Sequence, residues 1–206
     1  MFSRIRQQIA QSRTRSWLRR FARENPQVKL GSNLRFLGRP IFEVAPDASV
    51  RIGSNVTMIS LPEGNLAGLM KGCSIGVEPG AKLAIGDNCG FSGVSIYCAL
   101  EVSIGRHLTC GVNVSIWDTD FHPIDPKARR ANDRSAIRRK PVVIGDDVFL
   151  GANVMVLKGA RIGDRAVIGA GSVVTGTVPA DEIWAGNPAR FVRRCETGAI
   201  APAHST

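Results

Sequence analysis

One short stretch of this 206-residue chain gathers side chains able to move a proton: Trp117-Asp118-Thr119-Asp120-Phe121-His122-Pro123-Ile124. An imidazole titrates close to physiological pH and suits a general base. His122 is one of three histidines. His107 falls in the turn-like segment IGRHLT and is expected to be solvated, and His204 lies in a tail of small and polar residues. With two of the three so placed, a three-histidine zinc centre is not expected, and no metal is invoked. Asp118 and Asp120 stay open between orienting the imidazole, binding hydroxyls of a ligand and capping the loop. The five cysteines (Cys73, Cys89, Cys98, Cys110 and Cys195) form no CxxC pair. They read as reduced thiols, mostly buried. Cys98 and Cys110 have the chemistry of nucleophiles that carry a group covalently, but Cys110 occupies an inward position of the repeat described next and is expected to be inert.

The elements that must hold these residues repeat with a period of six. Over 142–177 an aliphatic residue recurs at Ile144, Leu150, Val156, Ile162, Ile168 and Val174. Two places before each stands a second small or branched residue: Val142, Val148, Val154, Ala160, Ala166 and Ser172. The same phase shows at Ile104, Cys110 and Ile116, and at Ile85 and Phe91; Ile52 and Ile75 look like weaker repeats without a fixed register. Residues two apart share one face of a strand. Each hexad is therefore a short strand followed by a turn, and three hexads close one coil. Stacked coils pair through parallel backbone hydrogen bonds. The expected fold is all-β, a parallel β-helix of hexapeptide repeats with one long loop, needing caps at its ends. The division expected is a basic helical appendage over 1–30, the β-helix over 31–183 with a loop at 117–141, and a cap and tail over 184–206.

That loop is where the phase breaks. Ile116 and Ile144 are 28 residues apart where the repeat needs six, and the phase then resumes. Loops of this length in compact domains tend to be functional or disordered. His122 stands at its root.

Charge is uneven. The net formal charge is +10. Residues 1–24 carry seven Arg against one Glu, and 127–140 carry seven Lys or Arg against one Asp, so the body is close to neutral. Neither basic segment interleaves aromatic residues in the pattern that stacks on bases, so nucleic acid is not the expected partner. A membrane surface, a phosphorylated sugar carrier or coenzyme A fits better. The 1–24 segment lacks Gly and Pro and stops before Asn25-Pro26, which predicts a helix. It reads equally as a basic helix on an anionic membrane or as a cap on one end of the coil. No apolar run reaches the ~20 residues of a membrane span, and no cleavable leader is expected. The expected location is cytoplasmic, peripheral at the inner face of the membrane if the basic helix binds lipid.

Three motifs carry a resemblance over 83–194: DTDFHPI, IGDDVFLGANVMVLKGARIGDRAVIGAGSVVTGTVP and IWAGNPARFVRR. Together they resemble the sugar-modifying hexapeptide-repeat O-acetyltransferases, the family of the galactoside and maltose acetyltransferases and of enzymes that tailor bacterial surface polysaccharides. The resemblance implies a left-handed β-helix, a homotrimer, active sites between subunits and acetyl-CoA as co-substrate. It makes His122 the base that deprotonates an acceptor hydroxyl. It assigns coenzyme-A contacts to Ala152, Ala170, Thr175, Gly176, Arg190 and Arg193; Gly176 departs from the Lys often found there, and Phe149 from a common Trp. On the acceptor side it offers Ser92 and Asn113, and the charge of the loop beside His122 adds Arg129. The function expected is transfer of an acyl group to a sugar hydroxyl of a surface polysaccharide or its precursor. The alternatives are N-acylation of an amino sugar and a non-catalytic scaffold that binds an anionic polymer.

Overall fold

The computed structural model describes residues 14 and 16–196. Its strands fall into three sheets, parallel but for a final hairpin, in which every third strand is a neighbour, the signature of a chain coiling with three strands per turn. Sheet A holds β1 (Val28–Leu30), β4 (Ser49–Ile52), β7 (Lys82–Ile85), β10 (Glu101–Ile104), β13 (Val142–Ile144), β16 (Arg161–Ile162) and β19 (Thr177–Val178). Sheet B holds β2 (Arg35–Leu37), β5 (Thr57–Ile59), β8 (Gly90–Ser92), β11 (Thr109–Val112), β14 (Phe149–Leu150), β17 (Val167–Ile168), β20 (Glu182–Gly186) and β21 (Ala189–Arg194). Sheet C holds β3 (Ile41–Val44), β6 (Ser74–Val77), β9 (Ser95–Cys98), β12 (Ser115–Trp117), β15 (Met155–Val156) and β18 (Val173–Val174). The fold is the expected parallel β-helix. Its first strand begins at Val28, inside the segment assigned to the appendage, and β20 continues sheet B past residue 183.

The hexad aliphatics point inward and stack on their counterparts a coil away. Ile144 lies over Ile162, Leu150 over Ile168 and Val156 over Val174, and all six are buried. Both weak repeats find their register: Ile52 pairs with Ile85, and Ile75 with Ile96. Four of the five cysteines are buried, Cys110 among them.

Three corners join the sheets. At the A-to-B corner the chain turns through left-handed residues, among them Asn33, Asn55, Asn88 and His107. Asn tolerates this conformation better than most side chains. Here its amides also form a ladder: Asn33 donates to Asn55 at 2.8 Å, Asn55 donates to Asn88 at 2.9 Å, and His107 ends the row 3.4 Å from Asn88. The B-to-C corner throws out a loop over 60–73 that the repeat did not reveal. The C-to-A corner throws out the expected one, over 118–141 between β12 and β13.

Residues 16–24 are helical and close the first coil. Trp17 stacks on Phe21 at 5.2 Å, and Phe21 meets Phe42 at 4.9 Å. Of the two readings of this segment, the cap is the one these residues satisfy; residues 1–13 lie outside those described.

Candidate functional site

The loop that carries His122 is fastened at its root by Asp118. This carboxylate is fully buried. Its oxygens accept the backbone N–H groups of Ala99, Leu100 and Glu101 at 2.7, 2.8 and 2.7 Å. Of the roles left open for Asp118, this geometry serves capping, since both oxygens of the buried carboxylate are engaged by backbone amides. The returning strand zips alongside: Asp120 N–H donates to the Arg138 carbonyl at 3.1 Å, and Lys140 N–H to that of Asp118 at 3.0 Å. Asp120 pairs with Lys158 at 2.8 Å through Oδ1, while its buried Oδ2 has no partner. Phe121 then turns left-handed at φ 61°. Bulky side chains rarely adopt this conformation, and strained residues of this kind cluster at functional sites. The turn is closed by His122 N–H donating to the Asp120 carbonyl at 2.7 Å. It presents the His122 side chain outward. The Phe121 ring folds the other way, against Tyr97 at 4.9 Å and edge-on to Trp117 at 5.4 Å.

Beside His122 lies a cavity of about 360 Å³ lined by Tyr97, Phe121, Arg129, Asn132, Arg134 and Glu78 among others. Tyr97 sits a coil away from Trp117 in sheet C. Gly76 makes room for it: a Cβ there would come within 3.0 Å of the Tyr97 ring. The Tyr97 hydroxyl donates to Glu78 at 2.9 Å. Burial, and then that carboxylate, raise the phenol above its ordinary range. Glu78 also receives Arg139 at 2.9 Å and Arg134 at 3.5 Å. Arg129 is braced by the Pro123 and Ile124 carbonyls, each at 3.0 Å. It projects from α1 (Pro126–Arg130), whose N-cap is Asp125.

The other candidates are spread over the surface. Thr175 and Gly176 turn the C-to-A corner, two coils from the loop, with Lys158 on the coil between. Ala152 and Ala170 turn the B-to-C corner, on the far side of sheet C from His122. The turns there stack at backbone contact, for a Cβ on Gly151 would lie 2.5 Å from Ala170 N. Arg190 and Arg193 are exposed on β21, antiparallel to β20. Ser92 and Asn113 both hold the 60–73 loop: Asn65 donates to Ser92 at 3.1 Å, while Asn113 accepts from Met70 N–H and donates to the Gly68 carbonyl, each at 2.9 Å. Ser92 is buried. The structure thus brings His122, Asp120 and Arg129 together and sets the other candidates apart. Sequence reasoning missed Glu78, Tyr97 and Lys158. Lys158 alone had a legible signal, since it turns the same corner as the loop one coil on.

The cysteines offer no nucleophile near His122. Burial pushes the Cys89 thiol up to about 11 and that of Cys98 up to about 12, and raises Cys73 and Cys110 as well.

Known proteins share the repeat and the fold. The family profile "Bacterial transferase hexapeptide (six repeats)" matches residues 141–176. Galactoside O-acetyltransferase of Lactococcus lactis is 43% identical over 94 residues, 46% of this chain and 44% of that protein. Its Escherichia coli counterpart is 36% identical over 92 residues, 45% of this chain and 43% of that one. The chain thus spans about half the length of the curated relatives it matches, or less. Among solved structures, a variant of AntD, an N-acyltransferase from Bacillus cereus in complex with dTDP and coenzyme A, superposes with a TM-score of 0.62 at 17% identity, covering 82% of this chain and 84% of that one. At that identity the likeness speaks for the fold. The repeat that builds these corners over residues 141–176 is thus the repeat of the bacterial hexapeptide transferases, and the chain is similar to acetyltransferases that carry it.

Proposed function

We propose that this protein transfers an acyl group from acyl-coenzyme A, acetyl-CoA foremost, to a hydroxyl of a saccharide, with His122 as general base. The observation that carries this is the exposed His122 imidazole, turned out by a left-handed Phe121 beside an aromatic-walled cavity. The galactoside O-acetyltransferases among the relatives favour oxygen as the acceptor atom. When bound, acetyl-CoA supplies the acyl group as a thioester. His122 takes the proton of the acceptor hydroxyl as its oxygen attacks the thioester carbon. A C–O bond forms, the C–S bond breaks, and the proton passes to the departing sulfur. Asp120 and Lys158 hold the turn that aims the imidazole. The Tyr97 and Phe121 rings offer an apolar wall to the face of a sugar.

The donor fits the small-residue corner. Turns in backbone contact at Gly151-Ala152 and Gly169-Ala170 leave a strip without bulky side chains, suited to a narrow pantetheine arm. Arg190 and Arg193 are available to its phosphates, which Arg can bind bidentately. His122 and this strip occupy different corners of one chain, which supports a homotrimer in which a neighbouring copy brings the second corner to the first. No helix among the described residues is long and apolar enough to cross a membrane.

The test is acyl transfer followed by free thiol release over a panel of saccharides. His122→Ala should lower kcat by ~10²–10⁴, the usual share of a general base, and leave Tm unchanged. Wild-type turnover in that variant would sink the assignment.

A further inference from the structure

The cavity beside His122 holds more positive charge than its acidic residues can neutralise. Glu78 is the one carboxylate lining it among the described residues. Glu78 is already committed three times, to Arg139, Arg134 and the Tyr97 hydroxyl. The other loop-side carboxylates are spent elsewhere. Asp118 caps three amides, Asp120 pairs with Lys158, Asp125 accepts Ala128 N–H, and Asp133 accepts from Ser135. Arg129 has no carboxylate partner among the described residues. Its bonds to the Pro123 and Ile124 carbonyls use one nitrogen, Nη1, and leave the rest of the fork for a ligand. Arg134 shares its carboxylate with a closer guanidinium and keeps a 76% exposed side chain.

From this arrangement we infer that the acceptor is acidic, a saccharide bearing a carboxylate or phosphate that Arg129 and Arg134 receive beside His122. The inference rests on the acyltransferase reading above and names its substrate class. A neutral sugar that filled the cavity would strip water from two guanidiniums and return no counter-charge, which is costly. An anionic group returns charge-assisted, often bidentate hydrogen bonds. It also benefits from the field of a loop whose 127–140 segment carries seven cations against one carboxylate. The phosphates of coenzyme A present the same chemistry, so the experiment must separate the two sources.

The full chain is titrated calorimetrically with oligogalacturonate and oligosialate, each beside its methyl ester, at saturating coenzyme A. The ester keeps the shape and removes the charge. Coenzyme A is titrated separately. The acids should bind about tenfold more tightly than their esters. Arg129→Gln and Arg134→Gln should each erase most of that preference while leaving coenzyme-A affinity unchanged. Esters that bind as well as acids, or no binding of any acidic probe, would overturn the inference. So would Arg variants that weaken coenzyme A but not the saccharides, for the cations would then serve the donor. The two readings fail separately. Coenzyme-A binding and thiol release without acid preference remove only the inference, whereas acid preference without coenzyme-A binding removes the acyltransferase.

Discussion

A buried carboxylate needs donors for both of its oxygens, and Asp118 finds three in the consecutive amides of Ala99, Leu100 and Glu101. Asp120, two residues on, spends one oxygen on Lys158 and leaves the other buried without a partner. The first arrangement is a fastening; the second pairs one oxygen with a cation and leaves the other unpaired, two residues before His122. Substitution should separate them from His122 and from each other. Asp118→Asn keeps the shape but turns an NH₂ group toward amide donors, so at least one buried N–H loses its acceptor. The expected cost is ~2–3 kcal/mol, read as a fall in Tm, with activity reduced because the root of the loop loosens. His122→Ala should show the opposite pattern, with activity lost and Tm kept. If Asp118→Asn melts like the wild type, the anchoring role is wrong.

At the scale of the element, the corners decide what each turn tolerates. Gly151 is locked between coils, and an added Cβ would meet the backbone nitrogen of Ala170 at 2.5 Å. Gly151→Ala should therefore destabilise by ~1–3 kcal/mol through overpacking. At Gly176 a Cβ meets nothing within 4 Å. Gly176→Lys should leave stability within about 0.5 kcal/mol. It should also tighten coenzyme-A binding several-fold in calorimetry if this corner faces a donor phosphate; unchanged affinity would remove Thr175 and Gly176 from the donor site. The same corners explain what the sequence could disclose. Between β13 and β18 each partner lies 18 residues on, as for Val143 and Arg161 or Phe149 and Val167, so the period is visible. Upstream the offsets vary: Val28 pairs with Val50, Val50 with Leu83, and Leu83 with Val102, because turns lengthen and the 60–73 loop intervenes. That loop was invisible for this reason. His122 was legible because its loop breaks a clean phase. Glu78 and Tyr97 were not, since their place depends on the stacking of those irregular coils. The role of Asp118 stayed open in the sequence because its partners at 99–101 lie a coil away and no local pattern marks them.

Across the whole molecule, the coil buries four free thiols. A thiol in the unfolded chain titrates near ~8.5, whereas folding moves Cys89 up to about 11 and Cys98 up to about 12 through burial. The folded state then holds protons that the unfolded state has released. This contribution to stability is complete below about pH 8.5 and is lost as pH rises toward the folded values. Melts under reducing conditions from pH 7 to 10 should show the decline. Cys98→Ser keeps a hydroxyl to donate to the Lys82 carbonyl, which Cys98 reaches at 3.2 Å, and does not titrate in this range. It should lessen the slope by ~1.4 kcal/mol per pH unit, and an unaltered slope would dismiss the linkage. The ends of the coil pose a separate question, because an open β-helix exposes apolar surface and unpaired strands. At the start, Trp17 and Phe21 cover that surface against Phe36 and Phe42, and Arg39 lies over the Trp17 ring at 5.6 Å. Loss of a buried aromatic costs ~3–5 kcal/mol, so deleting 1–24 should lower Tm sharply and promote aggregation. Deleting 1–13 retains Trp17 and Phe21 and still removes Arg4, Arg6 and Arg13 together with Phe2, Ile5 and Ile9. The shorter deletion is thus the proper test of membrane attachment. It should keep Tm and turnover on a soluble acceptor while abolishing sedimentation with anionic vesicles. Screening acts over ~8 Å at physiological salt, so vesicle binding by the full chain should weaken steeply along a salt series. Salt-dependent binding that survives loss of 1–13 would place the attachment elsewhere, with the cations of the 127–140 loop the next to be neutralised.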